Sequence, residues 1–363
     1  MFTFRLCSAM FLAAALGAAT AAAQMPGEAA MTKQSQALVP AGPWPKGDEQ
    51  GMANTLGQGT WQRCAYYLSR PNAKEYEVSH IRSATMSSSP FGAPLKYDYR
   101  PTVGIPGTVH AFNGETVAGE TAAQGTQMDA IGHFAFLSKP WDGKGEFPSD
   151  DAHYYGGYTQ AQVKPSKDAP LARLGIDKAP PIVTSAVLLD ARAYMGHGGA
   201  LKPGQTITSK DILGMIKAQG LEWRGLLPGD VLYIYTGWSE NWADPDTTHV
   251  YYTRGPGLSH EAAQFLRTKE IVLVALDNPF TDPVNEGQLM GKAGPPDGTP
   301  PGMPFSVHHE NLAVSGIHQI QNAKLADMAR DKVWTSCTMI LPLRVKGGAG
   351  SEVRPVAIGA PHS

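Results

Sequence analysis

The sequence predicts an α/β fold, and three observations carry that reading. Residues 182 to 277 run strand, helix, strand, with short apolar β-branched stretches separated by segments of helical periodicity. Glycine and proline, at 40 and 29 of 363 residues, exceed ordinary usage and point to many turns rather than a helical bundle. A hydrophobic content of 42% is ample for one large core.

Taken in order, the chain begins with an address. Arg5 gives a positive start, residues 6–19 an apolar run, and Ala21-Ala22-Ala23 a small-residue cleavage site, so residues 1–23 read as a signal peptide cut near Ala23. The run is too short to span a membrane, and the expected location is periplasmic or secreted. Residues 24–42 are polar, Ala-rich and aperiodic, which predicts a flexible leader. No linker-like shift in composition follows, so residues 43–363 are expected to form a single domain.

Within that domain, 76–81 alternates weakly as a strand, 87–96 is a Ser/Pro/Gly loop and 108–112 fits another strand. Residues 138–170 form a long loop rich in Pro, Gly, Asp and Tyr, which either serves function or covers apolar surface. Ile182–Asp190 is an apolar strand ending on a carboxylate. Residues 209–219 follow as a helix with Ser209 as cap, then a strand over 231–236. Ser259 caps a helix over 259–269, and 271–276 reads as a strand buried on both faces, ending at Asp277. Asp190 and Asp277 thus stand at strand ends, where sites in α/β folds gather.

Charge narrows the function. A net charge of -2 and a charged fraction of 17% give no nucleic-acid groove and no polybasic membrane patch, so the expected partner is a small-molecule substrate. Cys7 leaves with the signal. Cys64 and Cys337 then remain, outside any metal-ligand spacing, and can pair in an oxidising compartment. No Gly-x-Ser-x-Gly elbow surrounds Ser239 or Ser306, and no phosphate-cradling glycine loop is present. His110, His197, His249, His260 and His318 lack ligand-like partners in sequence and read as surface or satisfied core groups.

The densest chemistry lies at Gln124-Gly125-Thr126-Gln127-Met128-Asp129-Ala130-Ile131-Gly132-His133. As a strand leading into a turn, it places Gln127 and Asp129 on one face, where their oxygens can hold a cation, and brings His133 within reach as ligand or proton carrier. The same ten residues also fit an Asx-type turn with a hydrogen-bonded core histidine. A second polar stretch, Val307-His308-His309-Glu310-Asn311, can aim only one of its adjacent histidines at a given point. Trp238, Trp242 and Tyr155 are candidates either for an apolar ring-binding pocket or for the core.

These blocks together resemble a known family. Trp44, Asp48, Gly51 and Asn54, then Gly125-Thr126-x-x-Asp129-x-x-x-His133, Thr236-Gly237-Trp238, Pro256-Gly257-Leu258-Ser259, Asp277, His309 and Gly350-Ser351-x-x-Arg354-Pro355 are similar to the cyclase family of metal-dependent hydrolases, which includes bacterial kynurenine formamidase and isatin hydrolase. The resemblance implies a barrel-like mixed β core flanked by helices and a homo-oligomer. Its core motif, His-x-Gly-Thr-His-x-Asp-x-Pro-x-His, is altered here. Ala123, Gln127 and Ile131 replace its first two histidines and its proline, and Gln321 replaces a downstream glutamate. A longer subgroup shares the Gly-Thr-Gln-x-Asp variant and a Tyr-x-Gly-Tyr stretch, here Tyr155-Gly156-Gly157-Tyr158.

With a single carboxylate left, the resemblance implies one divalent ion, Mn²⁺ or Zn²⁺, held by Gln127, Asp129, His309 and Gln321, with His133 as the catalytic proton shuttle. The expected activity is hydrolysis of an amide or cyclic amide or ester. The alternatives are a non-catalytic ligand-binding member, suggested by the altered positions, and a dehydratase or cyclase using the same ion.

Overall fold

The computed structural model describes residues 27–362, so the signal-peptide reading falls outside the described residues. Helices α1 (Glu28–Gln36) and α2 (Gln58–Leu68) precede β1 (Lys74–Glu77), the β2 (Lys96–Gly104) and β3 (Ala111–Ala118) hairpin, and β4 (Gln127–Asp129). After α3 (Gln160–Val163) come β5 (Ile182–Asp190), α4 (Ala191–Tyr194), β6 (Thr206–Ile207), α5 (Ser209–Ala218), β7 (Val231–Tyr235), β8 (Gly257–Leu258), α6 (His260–Thr268) and β9 (Leu273–Leu276). The chain closes with α7 (Ser306–His308), β10 (His318–Gln321), α8 (Ala326–Arg330), β11 (Thr335–Ile340), β12 (Gly350–Glu352) and β13 (Val356–Gly359).

Nine strands form one mixed sheet, curled into a half-barrel, in the order β1-β13-β11-β5-β7-β9-β10-β4-β12. Its centre is parallel from β5 through β10, and both flanks are antiparallel. This is the expected α/β class with a barrel-like mixed core. Parallel strands need cover on both faces, and the alternation of the apolar runs supplies it. Val187, Leu189, Leu232, Ile234, Val274 and Leu276 face α5 and α6. Leu188, Val231, Tyr233, Leu273 and Ala275 face the opposite cluster, built with Tyr76, Val78, Met328 and Val333.

The caps follow local chemistry. Ser259 Oγ accepts the Ala262 N–H at the start of α6, as expected. For α5 the cap is Thr208 rather than Ser209, because the Thr208 hydroxyl accepts the Asp211 N–H while the Asp211 carboxylate takes the Thr208 N–H.

Three expectations are corrected. The leader expected to be flexible over 24–42 contains α1, which packs on α2 and buries Met31, Thr32 and Ser35. Gly59 permits that approach, since a Cβ there would collide with the Ser35 carbonyl oxygen. The stretch 87–96 is a loop as expected, but it leads into a β2–β3 hairpin much longer than the strand expected at 108–112. The third concerns His318, which is buried with neither ring nitrogen in a well-formed hydrogen bond, although backbone groups of Asp129 and Gln50 lie beside the ring.

A disulfide joins Cys64 on α2 to Cys337 on β11, across 273 residues of sequence. No helix among the described residues is long and apolar enough to cross a membrane.

Candidate functional site

β4 lies between β10 and β12 and carries two of the predicted groups. Gly125, at φ +70°, turns the chain into the strand. From there the two-residue period points Gln127 and Asp129 to the same face, and Gln321 pairs directly opposite Gln127 in β10. Gln319, two residues before Gln321, joins them on that face. A short helical turn, residues 131–133, then places His133 beside them.

Gln127, Asp129, His133 and Gln321 line one cavity of about 360 Å³. His309 lies outside it, with its ring packed against Phe136. Of the two adjacent histidines it is His308, at the end of α7, that lines the cavity beside His133.

Asp129 is 2% exposed, and its Oδ2 accepts hydrogen bonds from Gln319 Nε2 at 2.9 Å and Gln321 Nε2 at 2.7 Å. His308 Nε2 stands 3.7 Å from the same oxygen. On its other side His308 Nδ1 is hydrogen bonded to Asp282 Oδ2. Burial works to lower the His308 pKa, but Asp282 and then Asp129 outweigh it and hold the imidazole above its ordinary value. His309, beside Glu310 and His260, has its pKa lowered by burial.

Two amide oxygens in the cavity, Gln127 Oε1 and Gln321 Oε1, are buried with no hydrogen-bond partner. A buried unpaired amide oxygen costs about 1–3 kcal/mol, so this pair fits a site that takes a cation or a donor. Among the described residues no three His, Cys, Asp or Glu side chains converge as a metal cluster. The donors gathered at the inner end are the Asp129 carboxylate, the His308 imidazole and two amide oxygens. Such a set suits one hard or borderline divalent ion and lacks the charge for two.

Other sequence candidates have structural work. Asp277 is fully buried, and its carboxylate accepts from Thr236 N, Gly237 N and the Ser239 hydroxyl, holding the turn after β7. Asp190 caps α4 through the Ala193 N–H. Trp238 and Trp242 pack with Tyr251 and Tyr252 behind the cavity wall; neither tryptophan lines the cavity, whereas Tyr252 does. Tyr155 donates its hydroxyl to Asp48, and the long 138–170 loop covers Ile131 and Leu174, fixing the turn that bears His133. The sequence reading missed Asp282, His308 and Gln319. A signal existed for the last, since Gln319 and Gln321 stand two apart and so share a strand face.

The Cyclase family model matches residues 76–283, more than half of the chain, and the match includes β4 and His133. The chain belongs to the Cyclase family. Its architecture agrees with solved Cyclase-type structures. A structure described as a novel cyclase superposes with a TM-score of 0.68 at 22% identity, covering 86% of this chain and 97% of that one. Isatin hydrolase A from Ralstonia solanacearum gives a TM-score of 0.53 at 17% identity, covering 81% and 95%. An isatin hydrolase bound to the product analogue thioisatinate gives 0.52 at 15%, covering 80% and 94%. At these identities the likeness is one of fold. Among curated proteins no sequence match was found. Within the Cyclase fold, the cavity sits where β4, β10 and the loops after β9 meet.

Proposed function

We propose that this Cyclase-family chain is an exported hydrolase of amides or cyclic amides or esters, working with one divalent ion, Mn²⁺ or Zn²⁺. The observation that carries the reading is the pair of unpartnered oxygens, Gln127 Oε1 and Gln321 Oε1, buried beside Asp129 in the cavity. Asp129, Gln127, Gln321 and His308 Nε2 would hold the ion, with His308 in the role first assigned to His309. When bound, the ion supplies Lewis acidity to a carbonyl and makes water nucleophilic near neutral pH.

The chain's own residues supply the rest. Asp282 fixes the His308 ring through Nδ1, so that Nε2 is the nitrogen facing the cavity. His133 is exposed at the cavity wall and can take a proton from attacking water, return it to the leaving nitrogen or oxygen, and exchange with solvent. Phe134 and Phe305, both packed against the His308 ring, keep bulk water from the inner end.

Export is supported by the signal-like first residues and by the Cys64–Cys337 disulfide, a bond that persists in oxidising compartments. Assembly as a homo-oligomer is supported by the β2–β3 hairpin, which exposes Tyr99 and Phe112 on its strands and Val109 in its turn and is too small to be stable alone.

Elemental analysis of the protein purified without chelator tests the reading, with Asp129→Ala as control and a panel of aryl amides and lactones as substrates. About one Mn or Zn per chain, absent from the variant and accompanied by turnover, is the expected result. Absence of metal after incubation with Mn²⁺ and Zn²⁺ would overturn it and favour a ligand-binding protein.

A further inference from the structure

The outer half of the cavity has a chemistry of its own. Phe280 lies at the hub of an aromatic wall, with Phe91 at 5.9 Å, Phe305 at 5.9 Å and Tyr252 at 6.4 Å between ring centroids. Interplanar angles of 74°, 64° and 76° set these rings steeply to one another, so they bound the space on several sides rather than stacking into a slab. Rings set at such angles offer ring faces as well as edges, and a ring face carries the negative part of the quadrupole.

Charge points the same way. No lysine or arginine lines the cavity, whereas Glu120 and Asp129 both do. Glu120 sits at the mouth, exposed, on the segment that returns from the hairpin. Its backbone N–H is bonded to the Ala93 carbonyl at 3.0 Å, and a Cβ built on Gly92 would stand 2.9 Å from its Oε2, so the carboxylate lies against the strand of chain that carries Phe91. Among the described residues Glu120 has no cationic partner within salt-bridge distance. Asp129 is engaged at the inner end by Gln319 and Gln321, which leaves Glu120 as the free charge beside the rings.

We propose that the outer cavity is a cation-binding subsite, formed by Phe91, Tyr252, Phe280 and Phe305 with Glu120, and that it selects substrates carrying an ammonium or other organic cation over anionic ones. This deepens the hydrolase reading, because it rests on the cavity being where substrate binds. A cation held against ring faces gains from both the quadrupoles and the carboxylate, while a substrate carboxylate in this outer half meets repulsion from Glu120 and no lysine or arginine to offset it.

Equilibrium binding tests the subsite without requiring turnover. Benzyltrimethylammonium, benzyl alcohol and phenylacetate are titrated into the purified protein by calorimetry, with Glu120→Gln and Phe280→Leu compared at equal ionic strength. The cation should bind roughly tenfold tighter than either comparator. Glu120→Gln should cost it about fivefold while leaving benzyl alcohol unchanged, and Phe280→Leu should weaken it further. Phenylacetate binding as tightly as the cation, no binding of the cation at all, or an affinity indifferent to Glu120→Gln would overturn the proposal. Selective cation binding by a protein that hydrolyses no amide or lactone would keep the subsite and discard the hydrolase.

Discussion

Asp282 binds His308 twice, once through the backbone N–H at 3.2 Å and once through ring Nδ1. Its other oxygen accepts the Val307 N–H at 2.6 Å, so one buried carboxylate sets both the turn and the imidazole it presents. Removing it leaves the imidazole without the charge that holds its pKa up.

Asp282→Ala should therefore lower the His308 pKa and cost roughly 3–5 kcal/mol of stability, the range for breaking a buried ion pair from one side. Imidazole titration by NMR and urea unfolding read the two effects separately. An unchanged His308 pKa would show that Asp129 alone sustains it.

Gln321→Glu restores the carboxylate expected from the family pattern. It would place a second negative charge beside Asp129, where Gln321 Nε2 now donates at 2.7 Å. Without metal the variant should melt lower, because two carboxylates in contact repel. With Mn²⁺ or Zn²⁺ it should melt higher than the parent and bind at least about tenfold tighter. Thermal scans with and without chelator, paired with metal titration, check both signs.

His133→Ala should lower turnover by about 10²–10⁴-fold with little change in melting temperature, since the ring is exposed on a turn whose N–H groups donate to the Ala130 and Leu174 carbonyls. Metal content should be unaffected. A fully active variant would remove His133 from the mechanism.

Acid should destabilise the fold through two histidines. Burial is the leading cause in both His80 and His318, whose pKa values fall from 6.5 to about 4. The unfolded chain then binds more protons between those values, so stability declines as pH falls from 6.5 to about 4, by roughly 3 kcal/mol for each group at most. His308 acts in the opposite sense, because its raised folded-state pKa gives stability that is full below 6.5 and lost as pH rises through the folded value. Denaturant unfolding across this range, repeated on His318→Gln, should show a shallower slope in the variant.

Reducing the Cys64–Cys337 bond, or making Cys64→Ser, should cost about 2–5 kcal/mol, since it releases a 273-residue separation in the unfolded chain. Mass spectrometry under non-reducing conditions and melting curves with and without reductant measure the bond and its effect.

Much of the fold was legible because burial imposes a pattern. Ile182–Asp190 and the α6 segment carry apolar spacing that only one arrangement satisfies. The β2–β3 hairpin was harder to read, because with both faces largely exposed it has no alternation to display. Helix α1 escaped notice for a related reason, being held by contact with α2 rather than by its own periodicity. In the site, Gln127 and Asp129 could be paired from their spacing alone. Choosing between His308 and His309 could not be done that way. Neighbouring helical residues point about 100° apart, and it is Asp282, distant in sequence, that engages His308. The chain from His309–Ser315 also runs as a π-helix, which no local propensity announces.

The position of β4 between β10 and β12 also orders events in the life of the chain. Asp129 meets its neighbours only when residues near 320 and 350 have been synthesised and have returned to it across the sheet. A growing polypeptide therefore carries every early ligand residue without possessing a binding site. Whatever ion or substrate surrounds the ribosome finds nothing assembled to capture, and the cavity can form only once nearly the whole chain has been made.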